Sequence, residues 1–149
     1  MKNDNKPTGA SFSFEEYRFT KASVNFAVIP ETANLMIDFK PAGIYDQSNG
    51  LFCMKLEFHA ADKDSGNTVI TVECEAIFKF REQLAFDELP QYFFANSTAI
   101  IYPYIRAFVS TLTLQANYKP FVLPTYNVMA LGNTLKDNST TGEVTGNIG

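Results

Sequence analysis

Hydrophobic and polar positions alternate through most of the first half of the chain. Phe12 and Phe14 open the alternation, Tyr17 and Phe19 continue it, and Val24, Phe26 and Val28 close it. Its phase changes between Phe14 and Tyr17, which predicts a bulge or a bent strand. A second strand is predicted over Ala33–Lys40, with Leu35, Ile37 and Phe39 on one face. The third is the most regular: Phe52, Met54, Leu56, Phe58 and Ala60 are apolar, while Lys55, Glu57 and His59 point the other way. The run Asp62-Lys63-Asp64-Ser65-Gly66-Asn67 predicts a turn. After it Ile70, Val72, Cys74, Ala76, Phe78 and Phe80 alternate with Thr71, Glu73, Glu75, Lys79 and Arg81, so the last two strands form a hairpin. If their apolar faces coincide, even residues face even ones, and Cys53 and Cys74 lie on opposite sides of the sheet. Such a sheet has one greasy face to be covered and one wet face bearing both signs of charge.

The cover is predicted in the second half. Ile100, Ile101, Tyr104, Ile105, Phe108, Val109 and Leu112 recur at three- and four-residue spacing, with Asn96, Ser97 or Thr98 as capping candidates. Pro103 falls inside this pattern and predicts a kink or a new start, and the Thr-rich stretch Ser110–Leu114 also suits a strand. The length of the stripe favours a helix. Next comes Tyr118-Lys119-Pro120-Phe121-Val122-Leu123-Pro124-Thr125-Tyr126, apolar yet bracketed by prolines, and then a short helix over Asn127–Lys136. The order predicts an α+β fold: a four-stranded antiparallel sheet, a long helix, a Pro-rich apolar crossover loop and a short second helix. Residues 1–11 are expected to be flexible, 12–136 to form the domain, and 137–149, rich in Asn, Ser, Thr and Gly, to be a disordered tail.

Composition narrows the function classes. The 149 residues carry a net charge of −4 with no Lys/Arg run, which excludes nucleic acid as the main partner. No apolar run is long enough to span a bilayer, and no apolar segment follows Lys2 and Lys6 as a signal peptide requires, so a cytoplasmic location with reduced cysteines is expected. Catalytic chemistry has little to stand on. His59 is the one histidine, and Cys53 lies six residues away on the same strand, roughly 20 Å, too far for a nucleophile–base pair. Glu15-Glu16 and Asp87-Glu88 are sequence neighbours whose side chains diverge in a strand. There is no Gly-rich phosphate loop and no GxSxG elbow. The reading is of a protein that is no enzyme and uses no metal or cofactor.

Aromatic residues are the positive signal, with 14 Phe and 7 Tyr but no Trp. A four-stranded sheet under about one long helix is not expected to bury Phe26, Phe39, Tyr45, Phe78, Phe80, Tyr118, Phe121 and Tyr126 together, so some should meet another chain. An obligate interface between copies accounts for the sheet and helix members. An extended apolar segment beside a sheet edge offers a groove in which unfolded polypeptide could lay alternate side chains.

Two stretches in order resemble the SecB family of bacterial export chaperones. Ile100-Ile101-Tyr102-Pro103-Tyr104-Ile105-Arg106 is similar to the family's helix signature I-L-F-P-Y-A-R, and Tyr118–Leu131 is similar to its F-P-P-L-M-L-A-P-I-N-F-D-A-L segment. Val72–Phe78 is a fainter echo of the end of its fourth strand. Pro124 stands one place from the family's second proline, Met129 replaces an Asp, and Thr71 replaces an acidic residue that bears on docking to the translocase motor SecA. The resemblance implies an ATP-independent holdase for unfolded polypeptides, preproteins for export among them, assembled as a homotetramer that is a dimer of dimers with its long helices between two sheets. Groove candidates are Phe121, Val122, Leu123 and Tyr126 of the loop with Phe39, Tyr45 and Phe78 of the strands. Ile101, Tyr104, Ile105, Phe108, Val109 and Leu112 are the candidates for the helix interface. The alternatives are a dedicated chaperone of one partner, such as an antitoxin or a phage protein, a structural or assembly protein whose aromatic faces serve self-association, and, less well supported, a Tyr- and Phe-lined small-ligand pocket.

Overall fold

A computed structural model of the chain describes residues 11–28 and 34–145. Most of the expected flexible N-terminus and residues 146–149 of the expected tail lie outside them, as does Ala33. The elements are β1 (Phe12–Val24), β2 (Leu35–Asp46), β3 (Leu51–Asp62), β4 (Thr68–Phe80), α1 (Gln91–Gln115), α2 (Val128–Asp137) and β5 (Ser139–Thr141). Five strands make one sheet in the order β1-β4-β3-β2-β5. The first four pair antiparallel, and β5 adds to β2 in parallel, so the sheet is mixed rather than four-stranded and antiparallel.

Side-chain parity accounts for the sheet. Leu56 of β3 faces Cys74 of β4, even against even, and Cys53 faces Ile77 on the other side. Both cysteines are free. The register of β1 slips between Phe14 and Glu16 and again between Phe19 and Lys21. Each slip inserts one residue and restores the apolar side chains to one face, so that Phe14, Tyr17, Phe19 and Val24 lie opposite Phe78, Ala76, Cys74 and Ile70. Phe26 and Val28 leave the strand as a short 3-10 turn. β2 continues through Pro41 well beyond its expected end at Lys40. A proline without an N–H is tolerated there because β2 lies toward the sheet edge and β5 joins it only from Gly43.

The greasy face is covered by α1 and α2. The Phe93 ring packs 4.9 Å from both Phe12 and Phe52, and the fully buried Phe52, Phe58, Phe78, Phe93 and Phe94 form much of the core. α1 begins two turns earlier than expected, at Gln91 after Pro90. The expected caps Ser97 and Thr98 lie buried inside it: Ser97 Oγ donates to the Phe94 carbonyl at 3.2 Å, and Thr98 Oγ1 donates to the Ala95 carbonyl at 2.8 Å. Hydroxyls bonded back one turn satisfy themselves without ending a helix. Pro103 neither ends nor restarts the helix. It is exposed, and so is Ala99, whose carbonyl loses its helical donor and can be hydrated instead. The helix ends at Gln115, and beyond its Ala116 cap Asn117 adopts φ 64°, while the Asn117 and Tyr118 amides donate back to Leu114 and Thr113 carbonyls.

α2 lies against α1 and over β2. Gly132 permits the contact, since a Cβ there would stand 2.7 Å from the backbone nitrogen of Ala95. Asn127 caps the helix, its side-chain oxygen accepting the Ala130 amide at 3.1 Å. The chain from Asp137 departs from the expected disordered tail. Ser139–Thr141 are strand, and Val144 is buried. Main-chain pairing and the Asn138 side chain hold this segment, and neither leaves a hydrophobic period in the sequence.

Candidate functional site

The apolar crossover segment, residues 116–127, runs extended between the two helices and is fastened to α1 by side chains. Thr113 Oγ1 accepts the Phe121 amide at 2.9 Å, and Ser110 Oγ donates to the Phe121 carbonyl at 3.0 Å. The two hydroxyls lie three residues apart on one helix face and clamp both polar groups of a single loop residue. Further along, the Tyr102 hydroxyl donates to the Pro124 carbonyl. With Pro120 and Pro124 fixing φ, the segment has little freedom left.

Between these tethers the side chains alternate. Phe121 and Tyr126 are half-buried, Leu123 is fully buried, and Val122 stands 59% exposed. Tyr118 is also exposed and packs on Phe26, ring centroids 4.2 Å apart. Below the loop the Tyr126 ring meets Phe39 of β2 edge-on at 4.7 Å, and Phe39 meets Phe58, which in turn approaches Phe121. Leu35 and Ile37 continue the Phe39 face toward the start of β2 and stay partly open. Met129, in the first turn of α2, is 60% exposed. The result is an aromatic floor along the first part of β2, which β5 leaves unpaired, with a loop wall that presents Val122, Phe121 and Tyr126.

Four of the expected groove residues thus meet here: Phe121, Val122 and Tyr126 at the surface, and Phe39 as a nearly covered floor. Leu123 belongs to the same loop but points into the core. Tyr45 and Phe78 do not belong to the site. Tyr45 is sealed among Phe52, Phe80 and Phe86 with its hydroxyl donating to the Leu84 carbonyl at 2.6 Å, and Phe78 is sealed under Phe12, Phe14 and Phe93. Strand parity places both on the covered face, and their distance from the loop decides the rest. One chain therefore buries Phe39, Tyr45, Phe78 and Phe80 of the eight aromatics in question and leaves Phe26, Tyr118, Phe121 and Tyr126 partly or largely open.

The expected helix interface divides in the same way. Ile101, Ile105 and Val109 face the protein's own sheet and are fully buried, which removes them from any contact with a second copy. Tyr104 and Phe108 lie on the flank toward β1, and Leu112 is partly buried against the core. Phe108 stacks on Phe19 with centroids 4.0 Å apart, and Tyr104 lies 4.3 Å from Tyr17. Tyr17 and Tyr104 remain about two-fifths exposed beside the outer edge of β1, which has no strand partner among the described residues.

The outer face of the sheet is polar. Lys55 pairs with Glu73 at 2.7 Å, and His59 Nε2 lies 3.1 Å from the Glu57 carboxylate, whose pKa that contact holds below the usual range. A shallow hollow of about 440 Å³ on this side is lined by Met36, Asp38, Lys40, His59 and Thr68 among others. Burial pushes the Cys53 thiol up to about 11 and the Cys74 thiol up to about 12, so neither is a thiolate nucleophile at neutral pH. Among the described residues no three His, Cys, Asp or Glu side chains come together as metal ligands do, and no helix is long and apolar enough to cross a membrane.

The tethers Tyr102, Ser110 and Thr113, and the floor residues Leu35 and Ile37, shape the candidate site, and pattern reasoning did not assign them to it. Ser and Thr three residues apart ahead of a Pro-rich segment were the available signal, and their β propensity masked it.

Known proteins resemble the chain in sequence or in fold. A 62-residue stretch is 40% identical to the uncharacterised protein MJ0357 of Methanocaldococcus jannaschii, covering 42% of this chain and 39% of that protein, so the chain spans about two-fifths of that relative's length. The fold is similar to that of Rv1957 from Mycobacterium tuberculosis, a SecB-like chaperone solved in complex with a ChAD peptide from the HigA1 antitoxin. The TM-score is 0.60 at 20% identity, over 78% of this chain and 88% of that one. The family model described as preprotein translocase subunit SecB matches residues 11–137, from the start of β1 to the end of α2, and the chain belongs to the SecB family.

Proposed function

We propose that this protein is an ATP-independent holdase that takes non-native polypeptide, extended, along the trough between the crossover segment and the edge of β2. The observation that carries the reading is a loop tethered at Phe121 and Pro124 that nevertheless leaves Val122 and Tyr118 exposed and Phe121 and Tyr126 half-open over Leu35, Ile37 and Phe39. A rigid wall costs little ordering on binding, and an extended client can place alternate side chains on it. Met129 adds a contact that adapts to different side chains. Covering apolar area provides affinity without any nucleotide, and many weak contacts sum while each exchanges quickly.

The strip formed by Phe14, Tyr17, Phe19, Tyr104 and Phe108 beside the open edge of β1 supports self-association, and a dimer of dimers is the assembly we infer for it. Family membership supports preproteins among the clients, and kinship with Rv1957 supports a dedicated service to one partner such as an antitoxin. Thr71, where the family carries an acidic residue, argues against docking to SecA. A cytoplasmic location suits either service.

Light scattering of a chemically denatured client, diluted with and without the protein, tests the reading. Suppression at stoichiometric amounts is the expected result, and none rejects it. Affinity capture from a lysate then separates a general chaperone, with many clients, from a dedicated one with a single client.

A further inference from the structure

The segment that follows α2 folds back along the same strand that floors the trough. Asn138 Nδ2 donates to the Pro41 carbonyl at 3.0 Å, and its own carbonyl accepts the Gly43 amide at 3.3 Å. Ser139–Thr141 then pair with Gly43–Tyr45, the Gly142 amide donates to the Tyr45 carbonyl at 3.0 Å, and the Val144 amide donates to the Asp46 carboxylate at 3.0 Å. This is the single parallel pairing of the described sheet.

Its composition is unlike that of a structural strand. Thr140, Thr141, Gly142 and Glu143 are exposed, and Val144 is the one apolar side chain the segment buries. Main-chain pairing, the Ser139 hydroxyl on the Leu135 carbonyl and the Val144 amide on the Asp46 carboxylate hold the segment with little apolar burial to offset its ordering, which makes for a latch that a more apolar chain can displace. The latch also ends abruptly. β2 pairs with β5 from Gly43 to Tyr45, with Asn138 on the Pro41 carbonyl just ahead of it, and among the described residues no strand pairs with that side of β2 from Leu35 to Ala42, the stretch whose inward residues line the trough. An extended chain laid along this open edge meets the segment at Gly43.

We propose that residues 139–145 are a displaceable strap. They occupy the distal part of the β2 edge, and an extended segment of non-native polypeptide, entering along Leu35–Ala42, peels them away and takes over their main-chain pairing. The strap sets a threshold, because short or weakly apolar segments stop at Gly43 while longer ones gain the remaining edge. This inference rests on the client reading above.

Hydrogen exchange of the full chain, with and without reduced and carboxamidomethylated α-lactalbumin as an unfolded client, tests it. With client bound, amides of residues 118–126 gain protection, while the Gly142 and Val144 amides exchange at least about tenfold faster. Protection in 118–126 with Gly142 and Val144 unmoved overturns the strap and leaves the client reading standing; no change anywhere in 118–126 sinks both. The full-length Val144→Ser variant supplies a second readout: client affinity rises about fivefold with the circular dichroism spectrum unchanged, and an unchanged or weaker affinity in a folded variant overturns the proposal.

Discussion

Thr113 holds Phe121 from inside α1: its hydroxyl donates to the Val109 carbonyl at 3.0 Å and accepts the Phe121 amide at 2.9 Å, so one buried oxygen joins the helix to the crossover segment. Thr113→Val keeps the shape and removes the acceptor, leaving the Phe121 amide without its partner. The expected loss is about 1–3 kcal/mol of stability, since a donor stranded in a covered site costs its desolvation. Client affinity should fall as well, because a loosened wall must be ordered on binding. Urea unfolding and client titration check the two effects, and a variant as stable as the parent would show that the bond contributes nothing.

Val122 and Leu123 are neighbours with opposite roles. Val122 is 59% exposed and Leu123 has no exposure. Val122→Asp should therefore weaken client binding about tenfold or more while leaving the melting temperature within a degree or two, as surface substitutions usually do. Leu123→Ala should cost about 2–5 kcal/mol through the cavity it opens, with client binding lost only as the fold is lost. Thermal melts alongside aggregation assays separate the two; equal effects in both variants would place the client elsewhere.

How much of this was legible beforehand follows from period. Strands repeat every two residues, so the slip near Phe14 and the opposed faces of Cys53 and Cys74 could be derived from spacing alone. The start of α1 could not, because Ser97 and Thr98 carry the composition of a cap and satisfy their hydroxyls one turn back instead. β5 was invisible for a different reason: Ser-Thr-Thr has no apolar repeat, and backbone bonds that any sequence can make hold it in place. At the site, the loop residues were found by composition, but which of them face out is a tertiary fact. Leu123 and Val122 are equally apolar, and only the clamp on Phe121 decides which one turns inward.

Gly132 lies where α2 presses on the backbone of α1. A Cβ there would stand 2.7 Å from Ala95 nitrogen and 2.9 Å from the Phe94 carbonyl carbon, both backbone atoms that cannot swing aside. Gly132→Ala gains helix propensity, but overpacking should outweigh that gain and give a net loss of about 1–3 kcal/mol. Since α2 follows directly from the crossover segment, the displaced helix should also raise exchange of amides in residues 118–127. Denaturant midpoints and hydrogen exchange measure this, and a stabilised variant would mean that the helices part without cost.

Acid should loosen the fold at two turns. The Val144 amide, with Asn49, holds the Asp46 carboxyl below the usual aspartate value of 3.8, and the Ser65 hydroxyl does the same for Asp62. A carboxylate whose pKa is depressed in the folded protein contributes stability that is complete above its unfolded value and disappears as pH falls through the folded one. Stability from these two groups should therefore be level from neutral pH down to about pH 5 and decline below about pH 4. Asp46→Asn should flatten part of that decline and speed exchange of the Val144 amide at pH 7. Urea midpoints between pH 3 and 7 test the sign: a variant with the same acid slope as the parent would remove Asp46 from the account.

Tyr17 and Tyr104 pack 4.3 Å apart and are still 40% and 39% exposed, beside the Phe19–Phe108 stack and a strand edge with no described partner. Aromatic rings left half-covered next to unpaired backbone are poised to gain both apolar burial and main-chain bonds from another copy. Charging this strip with Tyr17→Asp and Tyr104→Asp should turn the proposed assembly into a monomer at micromolar concentration. The chain's own core, to which Ile101, Ile105 and Val109 contribute from the adjoining face of α1, should stay intact. Multi-angle light scattering gives the mass and circular dichroism the fold. If the doubly charged variant keeps the parent's mass, the copies meet through some other surface, and the strip beside β1 must answer to a different partner.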